Sequence, residues 1–415
     1  MKDRPVSVIL VGLGGMGRAY LECLLEEFPR SRVWIQAAVD PFLRSPEVLS
    51  RLKAEGIPLV PSLSETPAAG RRPDCIILCS PIQHHVPQAC EALSLGAHVL
   101  CEKPLGATVQ EANRLIQAKN EAHGWVMVGY QWSFSRAIRG LKKDILRGAF
   151  GRPLRFRTLC LWPRDQAYYR RNDWAGRLKD PEGAWVLDSP ANNAMAHFLH
   201  NLFFLLGDRM DESAFPEEVT AELYRAYPVE NFDTVACRAR TRGGVEVLFY
   251  ASHAVSQDVS PRFVLEFEGA TVRFGEDGDE IAAFPRSGTP RVYGSPESEH
   301  PLHKLFVALQ RVRVPGPVVC GPEAARAQTL CVNGIQDSRP EIVPFPETLI
   351  QKSPGEDRLW VEGLGEVLCE CYRKALLPSE TDVRWAAPGK RVNLRNYRYF
   401  PGGQPPRGRA EVGET

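Results

Sequence analysis

The sequence predicts an α/β chain in which an N-terminal, doubly wound parallel sheet precedes an α+β domain with a large, mainly antiparallel, open sheet. Short β-rich runs alternate with helical stretches up to about residue 130, and a glycine-rich turn follows the first run. Beyond residue 150, strand-like runs follow one another with few helices between them. We therefore divide the chain into residues 1–130, residues 131–377 and a C-terminal arm, residues 378–415.

The first 130 residues carry the alternation that indicates a parallel sheet with crossover helices. The predicted strands are Val6–Val11, Val33–Val39, Ile57–Val60, Cys75–Cys79, His98–Cys101 and Trp125–Val128. The predicted helices, which have apolar residues at three- and four-residue spacing, are Gly15–Phe28, Val86–Leu95 and Val109–Ala122.

The second part is predicted to be mainly antiparallel because its strands lack intervening helices. They are Leu154–Leu161, Val219–Ala226, Asp233–Arg240, Val245–Ser252 and Phe263–Phe267. Two helices interrupt them, Pro190–Leu206 and Leu302–Gln310. An open sheet face would leave apolar surface uncovered, so we expect a homo-oligomer, either a dimer or a tetramer.

Composition indicates a soluble protein that acts on a small molecule. The chain has 415 residues, a length that suits two or three domains, and 44% of its residues are hydrophobic. Lysine and arginine number 51 against 50 acidic residues, so the net charge of +1 argues against nucleic acid or an anionic membrane as partner. No apolar run reaches the roughly 18 residues that a membrane helix needs, and we expect a cytoplasmic protein.

A glycine-rich turn between the first strand and the first helix predicts a dinucleotide site of the Rossmann type. The first glycine permits a tight turn, the second lets backbone approach a pyrophosphate, and the third lets the helix pack close to its strand. The free N–H groups at the helix start would bind the phosphates. The residues of this turn are Gly12, Leu13, Gly14, Gly15, Met16 and Gly17.

Asp40 ends the second strand and is the predicted ribose ligand. A carboxylate there can accept hydrogen bonds from both hydroxyls of an adenosine ribose, which favours NAD over NADP. Arg44 could partly offset the repulsion of a 2′-phosphate, so NADP stays open. Asp40 could also be only a turn residue ahead of Pro41.

The ends of the fourth and fifth strands carry the candidate reaction site, because ligands bind beyond the carboxyl ends of such strands. Ser80 and Pro81 follow one strand, and Glu102, Lys103 and Pro104 follow the next. Lys103 is thus expected beside the nicotinamide. There a lysine can exchange a proton with a substrate hydroxyl, while the carbon that bears this hydroxyl exchanges hydride with the nicotinamide.

At these residues the chain resembles the Gfo/Idh/MocA oxidoreductase family, which includes glucose–fructose oxidoreductase and inositol dehydrogenase. The resemblance spans roughly residues 5–340. It rests on the glycine-rich turn, on Ser80-Pro81 with His85, on the run Gly96–Leu105 that contains Glu102-Lys103-Pro104, and on Gly151-Arg152-Pro153.

The resemblance implies a Rossmann domain that holds NAD(P) tightly and a second domain whose open sheet often forms the subunit interface. It implies that Ser80, Pro81, His85 and Glu102 belong to the cofactor site. It also implies that Lys103 binds the reacting substrate oxygen and moves its proton.

The predicted helix Pro190–Leu206 places Asn193, His197 and His200 at i, i+4 and i+7 on one face, which we expect to line a cleft. Many family members carry Asp-x-x-x-His-x-x-Asp there. His197 matches the histidine, whereas Asn193 and His200 replace the acids, and Asp188 could supply the missing carboxylate. The histidines could instead be half-buried packing residues, or bind a metal, although no third ligand is evident.

The loop between the first strand of the second domain and this helix mixes aromatic and charged residues, which suits a sugar or polyol. Arg170 and Trp174 are the predicted contacts, with Arg171 and Tyr168 as weaker candidates. The loop could equally be an interface.

The sequence thus predicts an NAD(P)-dependent dehydrogenase that oxidises a secondary alcohol of a sugar, inositol or sugar derivative and uses no metal. One alternative is a glycoside-cleaving enzyme that uses tightly bound NAD only transiently. The other is a non-catalytic NAD(P)-binding regulatory protein.

Overall fold

The computed structural model describes residues 4–66, 72–353 and 357–402. The last part of the predicted arm, residues 403–415, lies outside them. The elements of the N-terminal part are β1 (Val6–Val11), α1 (Met16–Glu26), β2 (Val33–Val39), α2 (Pro46–Glu55), β3 (Leu59–Val60), β4 (Cys75–Leu78), α3 (Ile82–Ser94), β5 (His98–Cys101), α4 (Val109–Glu121) and β6 (Val126–Val128).

These strands form a parallel sheet in the order β3-β2-β1-β4-β5-β6, which confirms the doubly wound fold. Every residue of β1 and of β4 is buried, as expected for central strands covered by helices on both faces. The direction in which successive strands are added to the sheet reverses between β1 and β4, and a ligand crevice forms at such a switch point. The carboxyl ends of β1, β4 and β5 therefore position the candidate site.

The second part contains the remaining helices and strands of the described residues. Its elements are α5 (Gln131–Phe134), α6 (Arg136–Leu146), β7 (Pro153–Leu161), α7 (Gln166–Arg170), α8 (Ala196–Leu205), β8 (Pro216–Arg225), β9 (Thr234–Thr241), β10 (Glu246–Ser252), β11 (Val259–Phe267), β12 (Ala270–Phe274), β13 (Ile281–Pro285), β14 (Arg291–Gly294), α9 (His303–Arg313), α10 (Pro322–Ser338), β15 (Val343–Pro344), β16 (Ile350–Lys352), β17 (Leu359–Val361), α11 (Leu364–Lys374) and β18 (Val392–Asn393).

The large sheet has the order β14-β13-β12-β11-β7-β10-β9-β8-β15, with β18 paired to β8. Only the β7–β10 and β8–β15 pairs are parallel among its described strands, so the prediction of a mainly antiparallel sheet is confirmed. Helix α10 packs on β8 and α4 and was not predicted. Its Asn333 accepts a hydrogen bond from the Val109 N–H and donates one to the Ala107 carbonyl, both at 2.8 Å, which ties the two parts together.

The predicted helix Pro190–Leu206 is wrong at its beginning, because α8 starts only at Ala196. The Ser189 hydroxyl accepts a hydrogen bond from the Asn192 N–H at 3.2 Å, and the Asn192 amide donates to the Val186 carbonyl at 3.1 Å. Side chains that bond to nearby backbone in this way stabilise a turn in place of a helix. Asn193 therefore lies in a turn before α8 and not on a helical face with the two histidines.

The expectation of an uncovered sheet face is wrong for the strands β7–β11. On one face of the large sheet, Leu159, Tyr250 and their neighbours form an apolar cluster with Leu364, Leu368 and Tyr372 of α11. The C-terminal residues of the chain thus cover this part of the sheet, which offers no open apolar surface to a second copy, and a homo-oligomer stays a prediction.

The described end of the chain returns to the N-terminal part. Phe400 is 2% exposed and packs with Leu187, Ile82 and Ala107. Within the described residues, no helix has both the length and the apolar composition required to cross a membrane.

Candidate active site

The glycine-rich turn leaves the start of α1 open to a ligand. Gly15 precedes this 11-residue helix without a side-chain cap, and its first turn has no acidic residue. The Gly17 N–H donates to the Gly14 carbonyl at 2.8 Å, and the other N–H groups of this turn can face a ligand. Gly14, Gly15 and Met16 are exposed. Gly12 has φ 79°, and a Cβ on it would lie 2.7 Å from the Ser80 nitrogen. These features fit the pyrophosphate of a dinucleotide.

The third glycine permits the close packing that the motif requires. A Cβ on Gly17 would lie 1.8 Å from the Gly12 carbonyl oxygen, so no side chain fits between helix and turn. Leu13, unlike Gly14, Gly15 and Met16, is buried, and 1% of its surface is exposed.

Asp40 connects the end of β2 to the glycine-rich turn. Its Oδ2 accepts a hydrogen bond from the Leu13 N–H at 2.8 Å, and its Oδ1 accepts one from the Phe42 N–H at 2.9 Å. Each carboxylate oxygen retains a second lone pair for another donor. The carboxylate is thus fixed beside the open turn, where it suits the diol of an adenosine ribose.

Replacing Asp40 by Ser should change the preference between the two dinucleotides. We expect KM for NAD⁺ to rise about tenfold or more, because a hydrogen bond to a charged group contributes about 1.5–3 kcal/mol. KM for NADP⁺ should fall, because the like charge near a 2′-phosphate is gone. Steady-state kinetics with both cofactors measure the ratio, and a further Arg44→Ala change should weaken only NADP⁺. An unchanged ratio would show that Asp40 merely supports the turn.

His85 holds the ends of β4 and β5 together. Its two ring nitrogens lie 2.7 Å from the Pro104 carbonyl oxygen and 2.8 Å from the Ser80 carbonyl oxygen, and its side chain is buried. It therefore fixes the two strand ends relative to each other and presents no free nitrogen to a cofactor. Ser80 donates a hydrogen bond to Gln88 at 2.5 Å, and Pro81 precedes α3.

Glu102 turns into the protein and pairs with Lys304 of α9. Glu102 Oε1 lies 2.5 Å from Lys304 Nζ and accepts a hydrogen bond from the Tyr20 hydroxyl at 2.7 Å. Burial alone would raise the pKa of Glu102, but the charge and hydrogen bond of Lys304 outweigh it and the pKa is lowered. Lys304 is 2% exposed and was missed in the sequence, where its place on the buried face of a helix with Leu305 and Ala308 was the available signal.

Lys103 reaches from the end of β5 to the turn before α8. Its Nζ donates to the Asn193 carbonyl at 2.7 Å and to Asn193 Oδ1 at 3.2 Å. The Asn193 amide in turn donates to Asp188 Oδ1 at 2.7 Å. Asn193 thus links the lysine to the carboxylate of Asp188, whose catalytic role stays a prediction.

Asp188 is held firmly by its surroundings. Its Oδ2 accepts a hydrogen bond from the Gly176 N–H at 2.6 Å, and its carbonyl accepts one from Asn231 at 3.0 Å. The preceding residue, Leu187, has φ 50°, a conformation that costs energy for a residue with a side chain. The strained residue thus directly precedes Asp188, which is connected to Lys103 through Asn193.

Burial lowers the pKa of Lys103 to about 8, although the Glu102 charge opposes the shift. Burial raises the pKa of Asp188, against the hydrogen bond from Gly176. For His197, burial and then the positive charge of Lys103 hold the pKa well below its usual range. The lysine can therefore gain or lose a proton near neutral pH, while the histidine is uncharged.

The two histidines of α8 differ in position. His197 is half-buried, and its Nδ1 is buried without a hydrogen-bond partner among the described residues. His200 is 1% exposed, stacks on Tyr130 with a centroid distance of 3.9 Å, and places Nε2 at 3.0 Å from the Ser133 hydroxyl. The expectation that His200 lines the cleft is corrected, because it packs in the interior.

In the loop of residues 162–177, called here the aromatic loop, one of the weaker sequence candidates, Arg171, lies near Lys103. Arg170 points to Asp357, with 3.3 Å between Nη1 and Oδ2, and Trp174 packs beside an apolar cluster that contains Leu187. Arg171, in contrast, is close enough to Lys103 to lower its pKa. The structure therefore favours Arg171 over Arg170 as the arginine of the site.

No group of three or more His, Cys, Asp or Glu side chains within residues 4–66, 72–353 and 357–402 is arranged to hold a metal ion.

Residues 6–130 match a family model described as "Oxidoreductase family, NAD-binding Rossmann fold". The inositol 2-dehydrogenase of Acidothermus cellulolyticus is 32% identical over 155 residues, which are 37% of this chain and 44% of that protein. The D-xylose 1-dehydrogenase [NADP(+)] of Haloarcula marismortui is 32% identical over 87 residues, 21% of this chain and 24% of that one. The chain thus spans less than half the length of these curated relatives.

Among solved structures, the WlbA dehydrogenase of Bordetella pertussis in complex with NADH and UDP-GlcNAcA superposes with a TM-score of 0.67 at 23% identity. The match covers 81% of this chain and 97% of that one. The likeness therefore extends over both sheets and shows the common fold.

Proposed function

We propose that the chain is an oxidoreductase of the Gfo/Idh/MocA type, which the match of residues 6–130 to that family's NAD-binding model supports, and that it is a dehydrogenase that transfers hydride between NAD and a secondary alcohol of a sugar or polyol. One observation carries the proposal. Just beyond the end of β5 lies a half-buried lysine, Lys103, whose Nζ is 2.7 Å from the Asn193 carbonyl in the turn before α8, on the ligand-binding side of the parallel sheet.

The residues around the glycine-rich turn would hold the dinucleotide. The exposed backbone of Gly14 and Gly15 would bind its pyrophosphate, and Asp40 would accept hydrogen bonds from its ribose, which favours NAD over NADP. When bound, the cofactor supplies the hydride acceptor for alcohol oxidation.

Lys103 and His197 would handle the substrate oxygen. As the carbon gives up hydride, the hydroxyl must lose its proton, and a neutral Lys103 can take it. Asn193 and Asp188 orient the amine and balance the charge that it then gains. His197 is neutral, and because its Nδ1 is buried, its Nε2 is the nitrogen available to contact the same oxygen.

The test is a screen of sugars, sugar acids and inositols with NAD⁺, followed by absorbance of NADH and by chromatography of the products. We expect at least one compound to give ketone and NADH in equal amounts. The rate of alcohol oxidation should rise as the pH passes about 8. Release of an aglycone without net NADH would contradict net oxidation. Absence of hydride exchange with every compound would contradict an enzymatic role.

A further inference from the structure

Two arginines of the aromatic loop lie against one tyrosine ring. The Cζ atom of Arg171 is 3.7 Å from the centroid of the Tyr168 ring, and that of Arg164 is 5.0 Å from it. His253 is 5.4 Å from the same ring, centroid to centroid. The loop therefore gathers two guanidinium groups and an imidazole around Tyr168.

Neither guanidinium has a carboxylate within ion-pair distance in the described part of the chain. Arg171 donates to the Tyr168 carbonyl, and Arg164 donates only a long hydrogen bond of 3.5 Å to the Pro163 carbonyl. The Nε of Arg164 is buried and has no partner among residues 4–66, 72–353 and 357–402. The adjacent Arg170, by contrast, pairs with Asp357. Within the described residues, neither Arg164 nor Arg171 is thus held in a direct ion pair.

His253 provides a second, independent indication of a ligand. It is 1% exposed, and its Nδ1 lies 2.8 Å from the Trp162 carbonyl, which fixes the proton on that nitrogen. Burial lowers the pKa of His253 to about 3, so the ring is neutral and Nε2 is an acceptor. In the described residues Nε2 is buried without a donor. A ligand hydroxyl group would satisfy it.

The reaction site next to this group is also positively charged. Lys103 and Arg171 both face Asp188, so two cationic groups share one carboxylate. Glu102 is occupied by Lys304. The site therefore contains more cationic than anionic groups, and a substrate that brings a negative charge would correct the imbalance.

We propose that Arg164, Arg171 and His253 form a subsite for an acidic sugar, in which the two guanidinium groups bind its carboxylate or phosphate and His253 accepts a hydrogen bond from one of its hydroxyls. This rests on the proposed dehydrogenase function and specifies its substrate class. Arginine suits the role because its planar fork matches both carboxylate and phosphate oxygens.

Binding of matched sugars to the full chain with NADH present tests the subsite without requiring turnover. The probes are glucose, glucuronate and glucose 6-phosphate, with the galactose series as a second set, measured by calorimetry. We expect at least one acidic member to bind about 10-fold to 100-fold more tightly than its neutral parent, and added salt to weaken it. The carboxylate and phosphate arms identify which anion is preferred.

The variants Arg171→Gln and Arg164→Gln should each remove most of that preference, whereas Arg170→Gln is the matched control and should leave it unchanged. His253→Phe should weaken acidic and neutral sugars alike. Equal binding of acidic and neutral sugars, or binding of neither, would overturn the subsite. If acidic sugars bind as expected but no sugar gives NADH, the dehydrogenase proposal fails while the subsite stands.

Discussion

Replacing Lys103 by Met should lower kcat for alcohol oxidation by about two to four orders of magnitude, which is the usual contribution of a positioned general base. Methionine keeps an unbranched chain of similar length but cannot accept the substrate proton or donate to Asn193. NADH binding, measured by fluorescence, should change little. Lys374→Met on the exposed side of α11 is the control and should retain full activity. A Lys103→Met enzyme with near-normal turnover would exclude the lysine from the chemistry.

The pH dependence of the two reaction directions tests whether Lys103 acts as the base in alcohol oxidation. Because burial lowers the pKa of Lys103 to about 8, the neutral amine that acts as base becomes populated as the pH rises through 8. The oxidation rate should therefore rise through that pH. The reverse reaction needs the protonated amine, so its rate should fall over the same interval. Both inflections should be absent in Lys103→Met.

Lys103 could be predicted from the sequence because its position depends on local order. The β5 strand ends at Cys101 as expected, and a residue two positions beyond a central parallel strand must lie near the switch point. The glycine-rich turn and Asp40 could be placed for the same reason. The alternation of strands and helices predicted the parallel sheet, and consecutive strands without intervening helices predicted the second sheet.

The contacts of Lys103 could not be predicted, because they depend on a turn at a place where the sequence pattern predicts a helix. Ser189 and Pro190 have the form of a helix start, yet the chain stays in a turn until Ala196, with the Ser189 hydroxyl and the Asn192 amide bonded to nearby backbone. Asn193 consequently meets Lys103 with its own backbone carbonyl as well as its side chain. This arrangement cannot be predicted from helical spacing alone.

The choice between Arg170 and Arg171 shows a second limit. Neighbouring residues of a helical turn point about 100° apart, so an error of one residue sends the side chain to a different surface. Arg170 ends α7 and meets Asp357, which is distant in the sequence. Such a partner is known only once the chain is folded.

The second large effect is expected at Lys304. Lys304→Met would leave the Glu102 carboxylate buried with the Tyr20 hydroxyl and the Lys103 N–H as its remaining hydrogen-bond donors. Breaking a buried pair in this way usually costs about 3–5 kcal/mol of unfolding free energy. Urea unfolding measures it, and the exposed Lys374→Met change should cost less than about 1 kcal/mol. The double variant Glu102→Gln/Lys304→Met should recover much of the loss, because no unpaired charge remains.

The same substitution should also change the chemistry, since the positive charge of Lys304 lowers the pKa of Lys103. Removing it should move the rise in oxidation rate to higher pH, whereas the double variant also loses the opposing charge of Glu102 and should move it back. A role confined to packing would reduce stability in Lys304→Met and leave the inflection in place. A displaced inflection in the single variant, reversed in the double, would show that the buried pair sets the proton affinity of the reacting amine.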